Sequence, residues 1–336
     1  MMEKVIEEEY EVKEKKKKST FINILYWIAT HLKFLFIPGY TSEDLERRRF
    51  EYEKQVGKRK FIRRLKSVLT IVGIAIIFFV VTLAVFAPWI SVYTFQELTG
   101  YPLTGHAWDP PSPAHPLGQT KDARDILGRM IWGARSSLTI ALPALLFAVS
   151  FGIIIGVIAA YYGGWVDSVL MRLMDIFLAF PSLILILVFI SIWGQRLEFF
   201  ILAYGILGIA GYSRLIRGSV LQARELPYIQ AAKVAGAGDG RIMFKHLLPN
   251  SIQPIIIAFT FDIGGIILSL AGLSFLGYGS ADLIEWGYDI AISRDRMYDA
   301  PWAMMWPGVM ILITVLGFML VGDGLRDALD PRMRNL

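Results

Sequence analysis

The chain of 336 residues contains no cysteine, only four histidines and little charge for its length. Without cysteine, disulfides, thiolate metal sites and cysteine nucleophiles are excluded. The histidines are too far apart in the sequence to suggest a local zinc site. Charged residues make up 19% of the chain and hydrophobic residues 55%, a balance that is unusual for a soluble globular protein. We therefore expect lipid to surround much of the surface.

Motifs for catalysis and secretion are also absent. The sequence has no G-x-x-x-x-G-K-[ST] phosphate loop, no intramembrane His-Glu-x-x-His motif and no local Ser/His/Asp signature. Because the chain opens on charged residues, we expect no cleavable signal peptide and insertion through the first span. We expect neither an enzyme nor a chain that binds its own cofactor or metal.

Six segments are long and apolar enough to be transmembrane helices. They cover residues 67–90, 138–161, 173–194, 199–220, 252–274 and 302–321. The third contains Pro181, which predicts a kink. The shorter segment 21–37 carries its polar residues in one helical sector, which predicts an interfacial helix, with a short span as the alternative. The expected fold class is an all-α polytopic membrane protein, with residues 1–66 as a cytoplasmic region and 67–336 as a six-span domain.

The basic residues indicate the orientation, because they concentrate on the cytoplasmic side of a membrane. Residues 1–66 hold 17 of the 34 lysines and arginines, whereas residues 91–120 hold none. With six spans and both termini in the cytoplasm, 27 of the 34 lie inside. Four of the remaining seven lie between Lys121 and Arg135, where we expect an interfacial helix.

The loop at residues 228–250, between the fourth and fifth spans, combines small residues with glycine and proline. Residues 224–235 predict a short helix whose alanines would let another surface approach closely. The glycines in the stretch from Gly236 to Gly240 predict the end of this helix. Residues 241–247 predict a second short helix, and Pro249 predicts the start of the fifth span. Such a helix-turn-helix could transmit force from a cytoplasmic partner. The alternative is an ordinary amphipathic loop.

The spacing Ala231-Ala232, Gly236 and His246-x-Leu248-Pro249 resembles the signature loop of permeases in ATP-binding-cassette importers. In that family the loop forms a coupling helix that docks on the ATPase subunit. The resemblance implies ATPase-coupling roles for Gln230, Ala231, Ala232, Gly236, Ala237, Asp239, His246 and Pro249. Gln230 replaces the acidic residue that is usual in the family, so this position can offer a hydrogen bond but no salt bridge.

Other stretches are similar to the dipeptide/oligopeptide/nickel permeases, and the short external loop is similar to their second, C-type subunit. The similar stretches are residues 115–120, 124–125, 133–138, 161–167, 171–172, 180–182, 273–277 and 322–332. Two positions depart from the pattern. Ala123 stands where a glycine is usual, and Leu270 where an acidic residue is common.

The resemblance implies a permease subunit of an ATP-driven importer of di- or oligopeptides in a prokaryotic plasma membrane. Oligosaccharides and nickel chelates are the alternative solutes. The implied partners are a homologous permease, two ATPase subunits that bind ATP and Mg²⁺, an external solute-binding protein and the lipid bilayer, with no nucleic acid. An ion-coupled secondary transporter, the alternative from another class, would predict inverted repeats, and the sequence contains none.

Three residues are candidates for the translocation path. A carboxylate at bilayer depth is costly and usually faces a cavity or a partner, which favours Asp262 in the fifth span. A bond to a neighbouring helix or to the partner permease is the alternative. Asp175 and Phe180 are the other two candidates, with interfacial anchoring and packing at the kink as their respective alternatives. After the sixth span we expect an ion-pair cap formed by Asp323, Arg326, Asp327 and Asp330.

Overall fold

The computed structural model describes residues 65, 67–100 and 106–329. These ranges are mainly α-helical and contain no β-strand, which confirms the predicted all-α class. The helices are α1 (Val68–Ile90), α2 (Phe95–Thr99), α3 (Ile126–Tyr162), α4 (Gly164–Leu178), α5 (Ser182–Trp193), α6 (Leu197–Ala223), α7 (Pro227–Val234), α8 (Asp239–Arg241), α9 (Leu248–Ser251), α10 (Gln253–Leu273), α11 (Trp286–Ser293) and α12 (Pro301–Leu329). Segments Ile242–Leu247 and Ser274–Tyr278 are π-helical, and Arg294–Arg296 is a 3₁₀ turn.

Five of these helices, namely α1, α3, α6, α10 and α12, are long and apolar enough to cross a membrane. The predicted third span is instead divided between α4 and α5, which meet at an angle of 80°. Pro181 lies at this bend with an extended backbone, and a proline also disfavours helical geometry in the residue before it. The kink was therefore predicted at the right place, and it divides the predicted span into two separate helices. The predicted interfacial segment 21–37 lies outside the described residues.

Contacts at the helix ends show that the bent pair completes a sixth crossing. The Arg224 guanidinium at the end of α6 donates to the Ala160 carbonyl at the end of α3 at 2.7 Å. The two helices therefore end together, and α4 and α5 return the chain between them. Gly324 on α12 packs against Thr70 at the start of α1. The chain thus enters and leaves the bundle at the same end, which requires an even number of crossings.

Two predicted boundaries change. Helix α3 begins at Ile126, twelve residues before the predicted span, because the Asp125 side chain caps it by accepting from the Gly128 N–H at 2.7 Å. In the stretch from Lys121 to Arg135, where an interfacial helix was expected, the residues from Ile126 onward are the first turns of α3 and do not form a separate helix. Helix α12 continues to Leu329, beyond the predicted end at 321. Hydropathy detects only the apolar part of such helices, and their polar turns extend past it.

The charged residues expected to form a cap after the sixth span lie mostly within α12. Asp323, Arg326 and Asp327 occupy its last turns, while Asp330 lies outside the described residues. The ion-pair cap stays a prediction.

Helices α3 and α6 pack closely through glycine. A side chain at Gly152 would collide with the Cβ of Tyr212, and one at Gly156 would collide with the backbone of Ser213. Small residues at such crossings let the helix backbones approach one another in a membrane. This contact fixes the position of Tyr212, which is 4% exposed.

We call the end of the bundle that carries Ala160 and Arg224 the loop end, and the opposite end the cap end. At the cap end, Arg129 of α3 donates from Nε to Asp289 of α11 at 2.8 Å and from Nη1 to the Leu98 carbonyl at 2.9 Å. Arg129 and Asp289 are each 1% exposed. The ion pair therefore binds α11 and the segment after α1 to the start of α3.

Further polar contacts hold the same region. The His115 Nδ1 lies 3.0 Å from the Asp125 carboxylate. The Ser274 hydroxyl donates to Glu285 at 2.5 Å, and burial raises the pKa of Glu285 to about 8. The three buried carboxyl groups of Asp125, Glu285 and Asp289 are thus each paired or hydrogen-bonded inside the protein.

Candidate coupling loop and membrane cavity

The first half of the loop is the short helix α7, which carries Gln230, Ala231 and Ala232. It begins at Pro227, three residues later than predicted, since α6 ends at Ala223 and a turn separates the two helices. Proline suits the first position of a helix because its missing N–H has no intrahelical partner there. The loop is therefore a separate element and does not continue α6.

Helix α7 ends at Val234, and Gly236 follows its C-cap residue and terminates it, as predicted. This glycine adopts φ +77°, in the left-handed region. Its N–H donates to the Lys233 carbonyl at 3.0 Å, and the Ala237 N–H donates to the Ala232 carbonyl at 3.0 Å. These two bonds form a Schellman motif, in which the carbonyls at the helix end are satisfied. The glycine break is shorter than predicted, because Asp239 and Gly240 already belong to α8.

The second half of the loop leads from α8 through the π-helical turn into α9. His246 lies in the π-helical turn and is half-buried, while Pro249 is exposed within α9. Helix α10 starts later, at Gln253, with Pro254 in its first turn. The assignment of Pro249 to the start of the fifth span is therefore wrong. Two prolines stand close together here, and either one is compatible with a helix start.

The loop has one buried and one exposed face. Ile229, Ile242 and Leu247 are at most 1% exposed and anchor the loop on the bundle. Gln230, Ala231 and Asp239 are exposed, as is Val234 at 90%. These three anchors were not predicted, although they are apolar positions in a loop with many polar residues. The exposed face is free to contact another molecule.

Asp239 ties the loop to the end of α3. Its carboxylate accepts from the Tyr161 hydroxyl at 2.7 Å and from the Tyr162 hydroxyl at 3.3 Å. The Lys233 ammonium lies 5.7 Å from the centre of the Tyr161 ring, within the range of a cation–π interaction. The side chain of Asp239 therefore binds this chain's own tyrosines.

A cavity of about 490 Å³ lies chiefly between α5, α6 and α10, near the middle of the bundle. Asp262 stands in its wall and accepts a hydrogen bond from the Tyr212 hydroxyl at 2.6 Å. Farther along the wall, the Tyr204 hydroxyl donates to the Ser269 hydroxyl at 3.2 Å. Asp262 thus bonds to a neighbouring helix and also faces a cavity, and its place on the translocation path stays a prediction.

The other two candidates for the translocation path lie elsewhere. Asp175 forms an ion pair with Arg214 of α6 and is not part of the cavity wall. Phe180 does not line the cavity either, and it is 54% exposed. That Phe180 packs at the kink stays a prediction. A second pair was missed, in which Arg217 holds Asp167 at 2.6 and 2.5 Å.

Comparison with known proteins identifies the family. Residues 152–335 match the model of the family described as binding-protein-dependent transport system inner membrane component. The chain belongs to this family. It is an integral, multi-pass membrane protein and a permease component of a transport system.

Several relatives are similar over most of their length. The dipeptide transport system permease protein DppC of Alkalihalophilus pseudofirmus is 40% identical over 91% of this chain and 99% of its own. The glutathione transport system permease protein GsiD of Pectobacterium atrosepticum is 35% identical over 82% of this chain and 92% of its own. The probable D,D-dipeptide transport system permease protein DdpC of Escherichia coli is 35% identical over 87% and 97%, respectively.

A solved structure shares the fold. A chain of the methionine ABC transporter MetNI, in an inward-facing conformation, aligns with a TM-score of 0.51 and 19% sequence identity. The alignment covers 61% of this chain and 98% of the MetNI chain. At this identity the similarity establishes the fold alone.

Proposed function

We propose that this chain is a permease subunit of an importer that carries di- or oligopeptides across a prokaryotic plasma membrane at the expense of ATP. The observation that carries this proposal is the 40% identity to a dipeptide permease over 91% of the chain. Relatives named for glutathione and D,D-dipeptide transport support the same solute class, because each name denotes a short peptide. These names favour peptides over oligosaccharides and nickel chelates.

The loop end faces the cytoplasm in this proposal. The strong excess of lysine and arginine before α1 supports this orientation, as does the return of α12 to the start of α1. Both termini are then cytoplasmic, and the cap end faces an external solute-binding protein. A homologous permease and two ATPase subunits, which bind ATP and Mg²⁺, complete the transporter.

The exposed face of the loop is the docking surface for one ATPase subunit. Gln230, Ala231 and Val234 offer a small, uncharged surface that another protein can approach closely. Movement of the ATPase displaces α7, and the Asp239 carboxylate passes this displacement to Tyr161 at the end of α3. The turns that follow α8 transmit the same displacement to α10, the helix that carries Asp262. Access to the cavity changes as these helices move.

Purification from native membranes tests the assembly. A tagged chain should retain both ATPase subunits and a second permease, and the reconstituted complex should import a labelled dipeptide only with ATP and a binding protein. Recovery of the intact chain without any ATPase subunit would contradict the proposal.

A pair of glycine substitutions tests the docking surface. Valine at Gly236 is incompatible with φ +77°, so Gly236→Val should reduce uptake severalfold while the ATPase subunits still hydrolyse ATP. Gly238→Val is the matched control, because Gly238 is two residues away with an ordinary φ of −68°. Equal uptake by the two variants would show that the shape of this turn is not needed for coupling.

A further inference from the structure

The carboxylate of Asp262 differs from three other carboxylates of the bundle. The carboxylates of Asp167, Asp175 and Asp289 each form an ion pair with an arginine of the same chain. Within the described residues, Asp262 has no such partner, and its hydrogen bond comes from the neutral hydroxyl of Tyr212. Its negative charge is therefore left without a cation among the residues that the structure describes.

The position of Asp262 along its helix makes the missing ion pair significant. It lies at the middle of α10, a helix of 21 residues that is long enough to span the membrane, and its side chain is exposed in the isolated subunit. A carboxylate at this depth does not face hydrocarbon, because its transfer into lipid is too costly. It must face either a polar passage or a cation supplied by another molecule.

The cavity around Asp262 favours a cation that arrives with the solute. Apart from Asp262, the described lining residues carry no charged side chain, and most of them are apolar. A carboxylate can accept about four hydrogen bonds, and Tyr212 donates one. An ammonium group brings three donors and a positive charge. It therefore matches both the remaining acceptor sites and the charge of this wall.

Packing around the cavity also holds the hydrogen-bond donor to Asp262 in place, and this orients the carboxylate. Tyr212 is 4% exposed and packs against the backbone at Gly152, so its hydroxyl is held in place. The second hydroxyl pair, Tyr204 and Ser269, stands seven residues farther along α10, at about 10 Å by helical rise. An extended dipeptide spans about 7 Å and fits between the two polar positions.

We propose that Asp262, positioned by Tyr212, binds the ammonium group of the solute in this cavity during transport. This inference rests on the proposed import of peptides, because a free α-amino group supplies the cation. A side chain that ends in an ammonium group offers the same chemistry. The site gives the permease its own preference for the charge of the solute, separate from that of the external binding protein.

The test compares solutes with and without an ammonium group. The complete complex, without its binding protein, is placed in lipid nanodiscs, and solute binding is measured by calorimetry. The probes are alanyl-alanine, lactyl-alanine, in which a hydroxyl replaces the amine, and N-acetyl-lysyl-alanine, which keeps only a side-chain ammonium. Uptake into proteoliposomes with the binding protein is measured in parallel, as the ratio of variant to wild type for each solute.

Asp262→Asn should weaken alanyl-alanine binding about tenfold or more, the scale expected for a hydrogen bond to a charged group. The same substitution should change the binding of lactyl-alanine by no more than about twofold. Asp262→Glu should restore the preference for alanyl-alanine. Ser182→Ala, which alters the same cavity wall, should change the binding of alanyl-alanine and of lactyl-alanine by the same factor. If Asp262→Asn weakens the binding of N-acetyl-lysyl-alanine by the same factor, the site recognises ammonium groups in general. If that binding is unchanged, the site recognises only the α-amino group.

Two results would overturn the inference while the proposed function stands. In one, wild-type complex imports alanyl-alanine, and Asp262→Asn affects lactyl-alanine as much as alanyl-alanine, or affects neither. In the other, Asp262→Asn no longer retains the second permease, which would assign Asp262 to an ion pair between subunits. Failure of the wild-type complex to import any peptide would instead reject the proposed function.

Discussion

The two ends of the bundle hold their loops in opposite ways. At the cap end, the pair Arg129–Asp289 is enclosed, with both side chains 1% exposed. At the loop end, Asp239 is exposed and held by two tyrosine hydroxyls, and Val234 nearby is 90% exposed. The cap end therefore encloses this ion pair within the chain. The loop end leaves a surface that only a partner can cover.

This difference also separates the energetic roles of the two ends. Removal of one member of a buried ion pair leaves an uncompensated charge and costs about 3–5 kcal/mol, whereas an ordinary hydrogen bond contributes about 0.5–1.5 kcal/mol. Substitutions at the cap end should therefore act on folding, and substitutions at the loop end on transport.

The largest effect is expected for Arg129→Met. This substitution strands the Asp289 carboxylate, so the free energy of unfolding should fall by about 3–5 kcal/mol. The yield of folded protein and its thermal unfolding in detergent measure the change. The double variant with Asp289→Leu should recover part of the loss, because it removes the stranded charge. A single variant as stable as the wild type would show that the cap does not depend on this pair.

A smaller effect on stability, but a clear effect on transport, is expected for Asp239→Ala. Loss of its bonds to Tyr161 and Tyr162 should cost about 1 kcal/mol and lower dipeptide uptake per ATP hydrolysed. Tyr161→Phe should have a similar effect, and the two substitutions together should not be additive. Additive losses would indicate that Asp239 and Tyr161 act separately, and unchanged coupling would remove this bond from the proposed mechanism.

The smallest effect is expected at Ala123, on the cap side. Ala123 adopts φ +52° and is 4% exposed, a conformation that favours glycine. Ala123→Gly should therefore stabilise the protein by about 0.5–1 kcal/mol, visible as a higher unfolding temperature. Ala134→Gly, inside the helix α3, should destabilise by about 1 kcal/mol. An unfolding temperature lowered by Ala123→Gly would show that the turn carries no strain.

Features that depend on neighbouring residues could be predicted from the sequence. The apolar length of a span is local, and so is the left-handed glycine that ends a helix, which is why the spans and Gly236 were located. The glycine usual at position 123 has the same kind of cause, because the backbone there is left-handed. Such signals need no knowledge of the fold.

Features that join distant segments could not be predicted. Arg129 and Asp289 are 160 residues apart, and Tyr212 and Asp262 are 50 residues apart. Periodicity within one helix does not indicate which residue of another helix it meets. The cost of a carboxylate in the membrane did predict that Asp262 needs a partner or a cavity, although it could not name Tyr212.

The length of α3 has a mechanical consequence. Its 37 residues form a rod of about 55 Å, well beyond the thickness of about 30 Å of the hydrocarbon core. One end is capped by Asp125 at the cap end of the bundle, and the other carries the tyrosines bound to Asp239 at the loop end. A tilt of about 10° would displace the far end of such a rod by about 10 Å. In the proposed orientation, a displacement of the loop is thus carried along a single helix to the opposite side of the membrane.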